Sequence, residues 1–402
     1  MGKVLRWRHF PPAARPAWDA VRVNSFTGSQ AAGAYTRGDF FFANARHTIL
    51  GQGVSEALTE LDPVRLTESV TKALAGSAVP VAVGVLPFDT SPGTRTPGHM
   101  IIPRTLHRTG PVLEAMPREV LAAPLSTRSV PSPERHLLAV ADAVAALADR
   151  RMRKVVLARA LDLDFAGAVR PEQIVRNLAK DNPRDYTYAA ALPDSRTIVG
   201  ATPELLLARR GLRVISHPHA GTTARSADPV ADRANGEALL RSKKDHIEHA
   251  AVTEALVETL RPFCRSLDVP DEPDLVSTPA VWHLGTTITG ELIDRDITAL
   301  RLAAALHPTP AICGTPTDEA RALVSELEPF DRGYYAGAVG WVDADGDGEW
   351  AVAIRCAEVA ETSMRLYAGG GIVPESDPRA ELDETSAKFQ TLLRAMGLDL
   401  PT

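Results

Sequence analysis

The chain has 402 residues, 45% of them hydrophobic and 5% aromatic, with a formal net charge of −6. The basic residues are scattered, so no electrostatic footprint for nucleic acid or an anionic membrane is present, and a small soluble partner is expected. Three cysteines, Cys264, Cys313 and Cys356, make no disulfide framework. The start, "MGKVLRWRHF", has no long apolar run, and the most apolar helix, "HLLAVADAVAALADR", is broken by Asp142. Neither a signal peptide nor a membrane span is expected, and the chain reads as cytosolic.

In chain order, residues 1–37 read as an irregular N-terminal segment, with "PPAARPAW" near the start. "GDFFFANARHTILGQG" and "VPVAVGVLPFD" have the composition of strands bounded by Gly and Pro. A Pro-rich polar stretch from "SPGTRTPGHM" to about residue 132 reads as irregular. An amphipathic helix at 134–150 and the strand "KVVLARALDLDF" follow. Turn signals "PDSR" and "RRG" between β-rich runs predict consecutive antiparallel strands from Tyr186 to His219. From Ser242 to Phe263 the period becomes helical, and later "YYAGAVGWVDADGDGEWAVAIRCAEV" reads as a hairpin and "MRLYAGGGIV" as a strand. No linker separates two halves and no repeat is found, so residues 38–398 read as one large α+β catalytic domain.

The C-terminal helical stretch "ELDETSAKFQ" places Glu381, Glu384 and Lys388 on one face. Asp245 and Glu248 share a face of the helix "SKKDHIEHAAVTEAL" in the same way. Taken singly, the first set is an ordinary ion-pair ladder, and Ser242 with Asp245 makes a helix-capping box. Taken together, two helices that each offer two carboxylates suit a hard divalent cation such as Mg²⁺. Two louder metal signals read as decoys. "DADGDGEW" opens like a calcium loop, but the twelfth position is Ile354 rather than a bidentate Glu. His217 and His219 have no partner set at zinc-site spacing, which favours a packing or backbone role. Charged residues in apolar strands carry more: Arg355 shares a strand face with small Ala351, Ala353 and Ala357, Lys154 opens a strand, and Glu204 ends one. An arginine, a lysine and a glutamate would supply an anion clamp, a base and an acid beside the metal.

The strings "KVVLAR", "VGATPELLL", "HAGTTAR", "SKKDHIEH", "VWHLGTTITGEL", "LHPTPAICGTP", "ELEPFDRGYYAGAVGW", "GEWAVAIRCAEV", "AGGGIV" and "ELDETSAKF" run in order from about residue 153 to 395. In that order they resemble the chorismate-utilising enzymes. The resemblance implies extensive antiparallel sheets surrounded by helices, chorismate as substrate and Mg²⁺ as cofactor. It implies that Glu248, Glu381 and Glu384 surround the metal with Asp245 in support, and that Lys388 balances their charge. Arg355, Tyr335 and the backbone of Gly369, Gly370 and Gly371 would receive the pyruvyl carboxylate, while Gly221, Thr222, His283 and Thr286 line the ring pocket. Lys154 stands where the family's water-activating base stands, and Glu204 would be the acid. Water as nucleophile, with Ala311 and Ile312 in "LHPTPAICG", resembles the isochorismate synthases rather than the salicylate synthases, whose added step eliminates pyruvate. His219 departs from the apolar residue that relatives carry before "AGT". A monomer is expected.

Overall fold

The computed structural model describes residues 26–113, 118–150, 152–278 and 281–400. Within these, seventeen strands join into one antiparallel sheet. His219–Ala224, Asp274–Ser277 and Val281–Gly285 form a second, three-stranded sheet. Following the hydrogen bonds, the large sheet runs from Ser126–Val130 through Lys154–Asp164, Ser363–Ile372, Cys356–Val359, Thr197–Thr202 and Tyr186–Ala191 to Phe40–Ala43. It continues through Thr48–Glu60, Gly98–Thr109, Val81–Leu86, Ala338–Asp343, Gly348–Val352, Leu205–Arg210 and Arg213–His217.

Two pairs of strands adjacent in sequence lie far apart along this path. Only Pro203 and Glu204 separate Thr197–Thr202 from Leu205–Arg210, and only Ala353, Ile354 and Arg355 separate Gly348–Val352 from Cys356–Val359. The sheet therefore curls back on itself, and each pair of strands turns a corner between its two halves. Glu204 and Arg355 occupy those corners.

One hydrophobic core includes Trp341, Trp350, Leu207 and Val83. A second, including Leu163, Val199 and Leu366, is closed by Phe389, Leu392, Leu393 and Met396 of the helix Pro378–Met396. Burying each such side chain contributes roughly 1.5–3 kcal/mol, enough to fix which face of this helix turns away from the core. Local chemistry sets its ends. The Asp377 carboxylate accepts from the Ala380 N–H, Pro378 takes the first turn, and Gly397 closes the helix at φ 72°. The helix Lys243–Leu260 starts at Ser242, whose hydroxyl accepts from the Asp245 N–H at 3.3 Å, so Ser242 caps the helix and supplies one half of the expected capping box. No described helix is long and apolar enough to cross a membrane.

The structure corrects three expectations. The segment 1–37 contains the helix Gly28–Ala34, capped by Thr27 and Gln30; residues 1–25 lie outside the described residues. The polar stretch after residue 90 contains the long strand Gly98–Thr109 and the strand Ser126–Val130. Pro103 is tolerated there because its partner strand bulges between Val54 and Glu56, just after Gly53 at φ 62°. Arg355 does not share a strand face with its alanine neighbours: the strand ends at Val352, and Arg355 has φ 51°.

Candidate active site

Lys154 opens the strand Lys154–Asp164, pinned on one edge by Gly314–Thr315 and on the other by Ser363–Ile372. Its side chain is buried, and Nζ donates to Glu248 Oε1 at 2.8 Å, a contact between residues 94 positions apart. On the neighbouring strand a Cβ at Gly371 would stand 2.6 Å from Lys154 Cε and 3.0 Å from Glu248 Oε1, so glycine there leaves room for this contact. Lys388 Nζ donates to Glu384 Oε1 and to the Gly369 carbonyl, both at 2.6 Å. The two acidic helix faces are thus each fastened by a lysine.

Arg355 is held in its left-handed conformation by neighbours from elsewhere in the chain. The Tyr188 phenol donates to the Ile354 carbonyl at 3.1 Å, the Ala201 N–H to the Arg355 carbonyl at 3.2 Å, and the Ala336 N–H to the Ala353 carbonyl at 2.8 Å. Every carbonyl of the corner is satisfied, which is what lets a non-glycine residue persist at positive φ.

One cavity, open to solvent at its mouth, collects these groups. Lys154, Glu204, Gly221, Thr222, Asp245, Glu248, His283, Ala311, Ile312, Tyr335, Arg355, Gly369, Gly371, Glu381, Glu384 and Lys388 all line it. Two expected residues do not. Thr286 lies behind the wall, its hydroxyl 2.7 Å from His249 Nε2. Gly370 points elsewhere, but a Cβ there would stand 3.0 Å from Glu381 Oε2, so its lack of a side chain makes room for that carboxylate.

The electrostatics divide the acids. Burial pushes the Glu204 carboxyl up to about 7, against the charges of Lys154 and Arg355 and a hydrogen bond from the His219 backbone. Burial and the Glu384 charge push Glu381 up to about 7 as well, although Ser376 Oγ donates to its Oε1 at 2.7 Å. Burial raises Asp245 too; the Ser242 hydrogen bond opposes the rise and the Glu248 and Glu384 charges add to it. For Glu248 burial is overcome by the charge and hydrogen bond of Lys154, so its carboxyl is held low.

The acid set fits a hard divalent cation. Glu381 Oε2 is buried without a hydrogen-bond partner, and Asp245, Glu248, Glu381 and Glu384 bring carboxylates to one cavity. Among the described residues no three acids or histidines already stand as a closed cage, since Glu248 and Glu384 turn to lysines. Such a cation would draw further oxygens from substrate and water, as small hard cations do.

Several residues escaped sequence reasoning. Lys244, Tyr367 and Ala336 also line the cavity, with Tyr367 stacked on Tyr335 at 4.7 Å. Arg332 is buried beneath it and donates to the Ile312 and Val156 carbonyls at 2.8 and 2.7 Å while paired with Glu328. A charged residue in "ELEPFDR" was the available signal. The two decoys are explained by their neighbours. In "DADGDGEW" the Arg209 guanidinium donates to the Asp345 carbonyl and to Asp347 Oδ1, taking the place a calcium ion would need. His219 Nε2 meets His217 Nδ1 at 3.0 Å, and the His219 ring stacks on His283, so this pair packs the cavity wall. His219 itself lines the cavity.

The curled antiparallel sheet and its lysine, arginine and carboxylate cavity define a chorismate-binding enzyme: the family model of that description matches residues 107–397, and the chain belongs to this family. It is 44% identical over 382 residues to the isochorismate synthase DhbC of Bacillus subtilis, covering 91% of this chain and 95% of that one. Against the isochorismate synthase EntC of Escherichia coli K12 it is 40% identical, covering 79% and 82%. Among solved structures, the putative 2,3-dihydroxybenzoate-specific isochorismate synthase DhbC from Bacillus anthracis superposes with a TM-score of 0.86 at 41% identity, covering 92% of this chain and all of that chain.

Proposed function

We propose that this protein converts chorismate to isochorismate with Mg²⁺ as cofactor. The observation that carries the reading is the pairing, in one cavity, of a buried lysine with a buried glutamate whose carboxyl is lifted to about 7. A glutamate that keeps its proton near neutrality can protonate a leaving hydroxyl, which an ordinary carboxylate cannot.

Arg355 grips the side-chain carboxylate of chorismate, with the Tyr335 ring and the Gly369 and Gly371 backbone leaving space for it. Lys154, in its neutral amine form, accepts a proton from water as the water oxygen bonds to ring carbon 2. The ring double bonds shift, the carbon 4–oxygen bond breaks, and Glu204 supplies the proton with which that hydroxyl leaves as water. Solvent returns the proton from Lys154 to Glu204, so the net change is an isomerisation. Glu248, Glu381 and Glu384, with Asp245 in support, would hold the Mg²⁺. When bound, the ion offsets the charge drawn onto the ring carboxylate during attack. Lys388 keeps Glu384 in place and Arg332 keeps the Ile312 wall in place. Of the relatives named above, the Bacillus anthracis protein is described as 2,3-dihydroxybenzoate-specific, which supports that compound as the downstream product.

The test is to incubate purified protein with chorismate and Mg²⁺ and separate the products chromatographically. Isochorismate alone is expected. Salicylate with free pyruvate would instead make it a salicylate synthase, and unchanged chorismate would refute both.

A further inference from the structure

Lys244 has no place in the chemistry above, yet it lines the cavity. It lies in the first turn of the helix Lys243–Leu260, where the macrodipole favours acids and disfavours cations. A lysine that goes against this local rule calls for a reason in the tertiary structure. Its side chain is exposed at the mouth, and no ion pair or hydrogen bond fastens it among the described residues. It directly precedes Asp245 and lines the same cavity as Glu248 and Glu381, and its charge lowers the carboxyls of all three.

The charges of the cavity show what it could serve. Five carboxyl side chains (Glu204, Asp245, Glu248, Glu381 and Glu384) line the wall beside three lysines and an arginine (Lys154, Lys244, Lys388 and Arg355). Lys154 is committed to Glu248 and Lys388 to Glu384. Among the described residues Arg355 and Lys244 are the two of these four with no ion pair to a cavity acid, and chorismate carries two carboxylates. Arg355 sits in its sheet corner, whereas Lys244 stands among the acids that would hold the metal.

We propose that Lys244 is a further substrate-binding residue, which receives the ring carboxylate of chorismate beside the metal while Arg355 receives the other. The inference rests on the chorismate reading of the site. A flexible lysine at the mouth suits this task, because it can meet an entering dianion and close over it without a fixed partner to release.

The test compares Lys244→Ala and Lys244→Arg with the unaltered protein by steady-state kinetics and by calorimetric titration of chorismate and, separately, of Mg²⁺. Lys244→Ala should raise KM and the chorismate Kd roughly tenfold, the equivalent of one charge-assisted contact, with kcat falling less than about threefold. Lys244→Arg should recover most of the loss. Because a cation has been removed from among the acids, Mg²⁺ alone should bind Lys244→Ala more tightly than the unaltered protein. General damage to the site would weaken both ligands, and that outcome overturns the inference. So does a KM and Kd unchanged in Lys244→Ala while the unaltered protein converts chorismate; the proposed function then stands without it. If the unaltered protein neither binds nor converts chorismate, the proposed function itself falls and takes the inference with it.

Discussion

Glu204→Gln should cost the protein its activity and make it more stable in mild alkali. In the folded chain burial lifts the Glu204 carboxyl from 4.5 to about 7. At 1.36 kcal/mol per pKa unit, the shift corresponds to about 3 kcal/mol of differential stability. The sign follows from proton counts. Between pH 4.5 and 7 the folded state holds a proton that the unfolded state has released, so this group's contribution is complete below about pH 4.5 and lost as pH rises through 7. Glutamine is close in shape to the protonated acid and cannot ionise. Urea unfolding of both proteins at half-unit steps from pH 4.5 to 8.5 should give a stability difference that grows in favour of Glu204→Gln, levelling above pH 7 at up to about 3 kcal/mol. The same substitution removes the proton donor and should lower kcat by roughly 10²–10⁴-fold, while the unaltered enzyme loses rate as pH rises past 7. Parallel stability profiles for the two proteins would refute the reasoning, because Glu204 would then have an ordinary carboxyl and could not act as the acid.

Lys154→Ala should nearly abolish conversion while chorismate binding remains measurable by calorimetry; full activity would remove Lys154 as the base. Glu381→Gln should weaken Mg²⁺ at least about tenfold in a direct titration, since the amide replaces a charged oxygen that has no other partner; an unaltered isotherm would place the metal elsewhere. Gly371→Ala puts a methyl group 2.6 Å from Lys154 Cε. It should cut kcat by more than about tenfold with little change in melting temperature, and wild-type turnover would show that the Lys154–Glu248 contact is dispensable.

Much of the site was legible in the sequence because periodicity and residue chemistry are local. A 3.6-residue turn places Glu381, Glu384 and Lys388 on one face whatever the fold, and the structure keeps that face together through the Glu384–Lys388 pair. The lysine-led strand, the antiparallel run from Tyr186 to His217 and the Trp341–Trp350 hairpin follow from the same kind of signal. The fold class was legible through ordered strings rather than through periodicity.

What tertiary structure alone decided is where the chain stops obeying its local pattern, and what burial does there. Alternation predicted a continuous strand through Arg355, whereas the residue turns a corner because hydrogen bonds from Tyr188, Ala201 and Ala336, all distant in sequence, satisfy the broken strand. "DADGDGEW" looked like a cation loop until a guanidinium from another strand was found in it. A glutamate in a sequence is simply a carboxylate with an ordinary pKa. Residues 204 and 381 differ from that chiefly because the packed fold excludes water from them, and exclusion of water belongs to the packed molecule and not to any stretch of its chain.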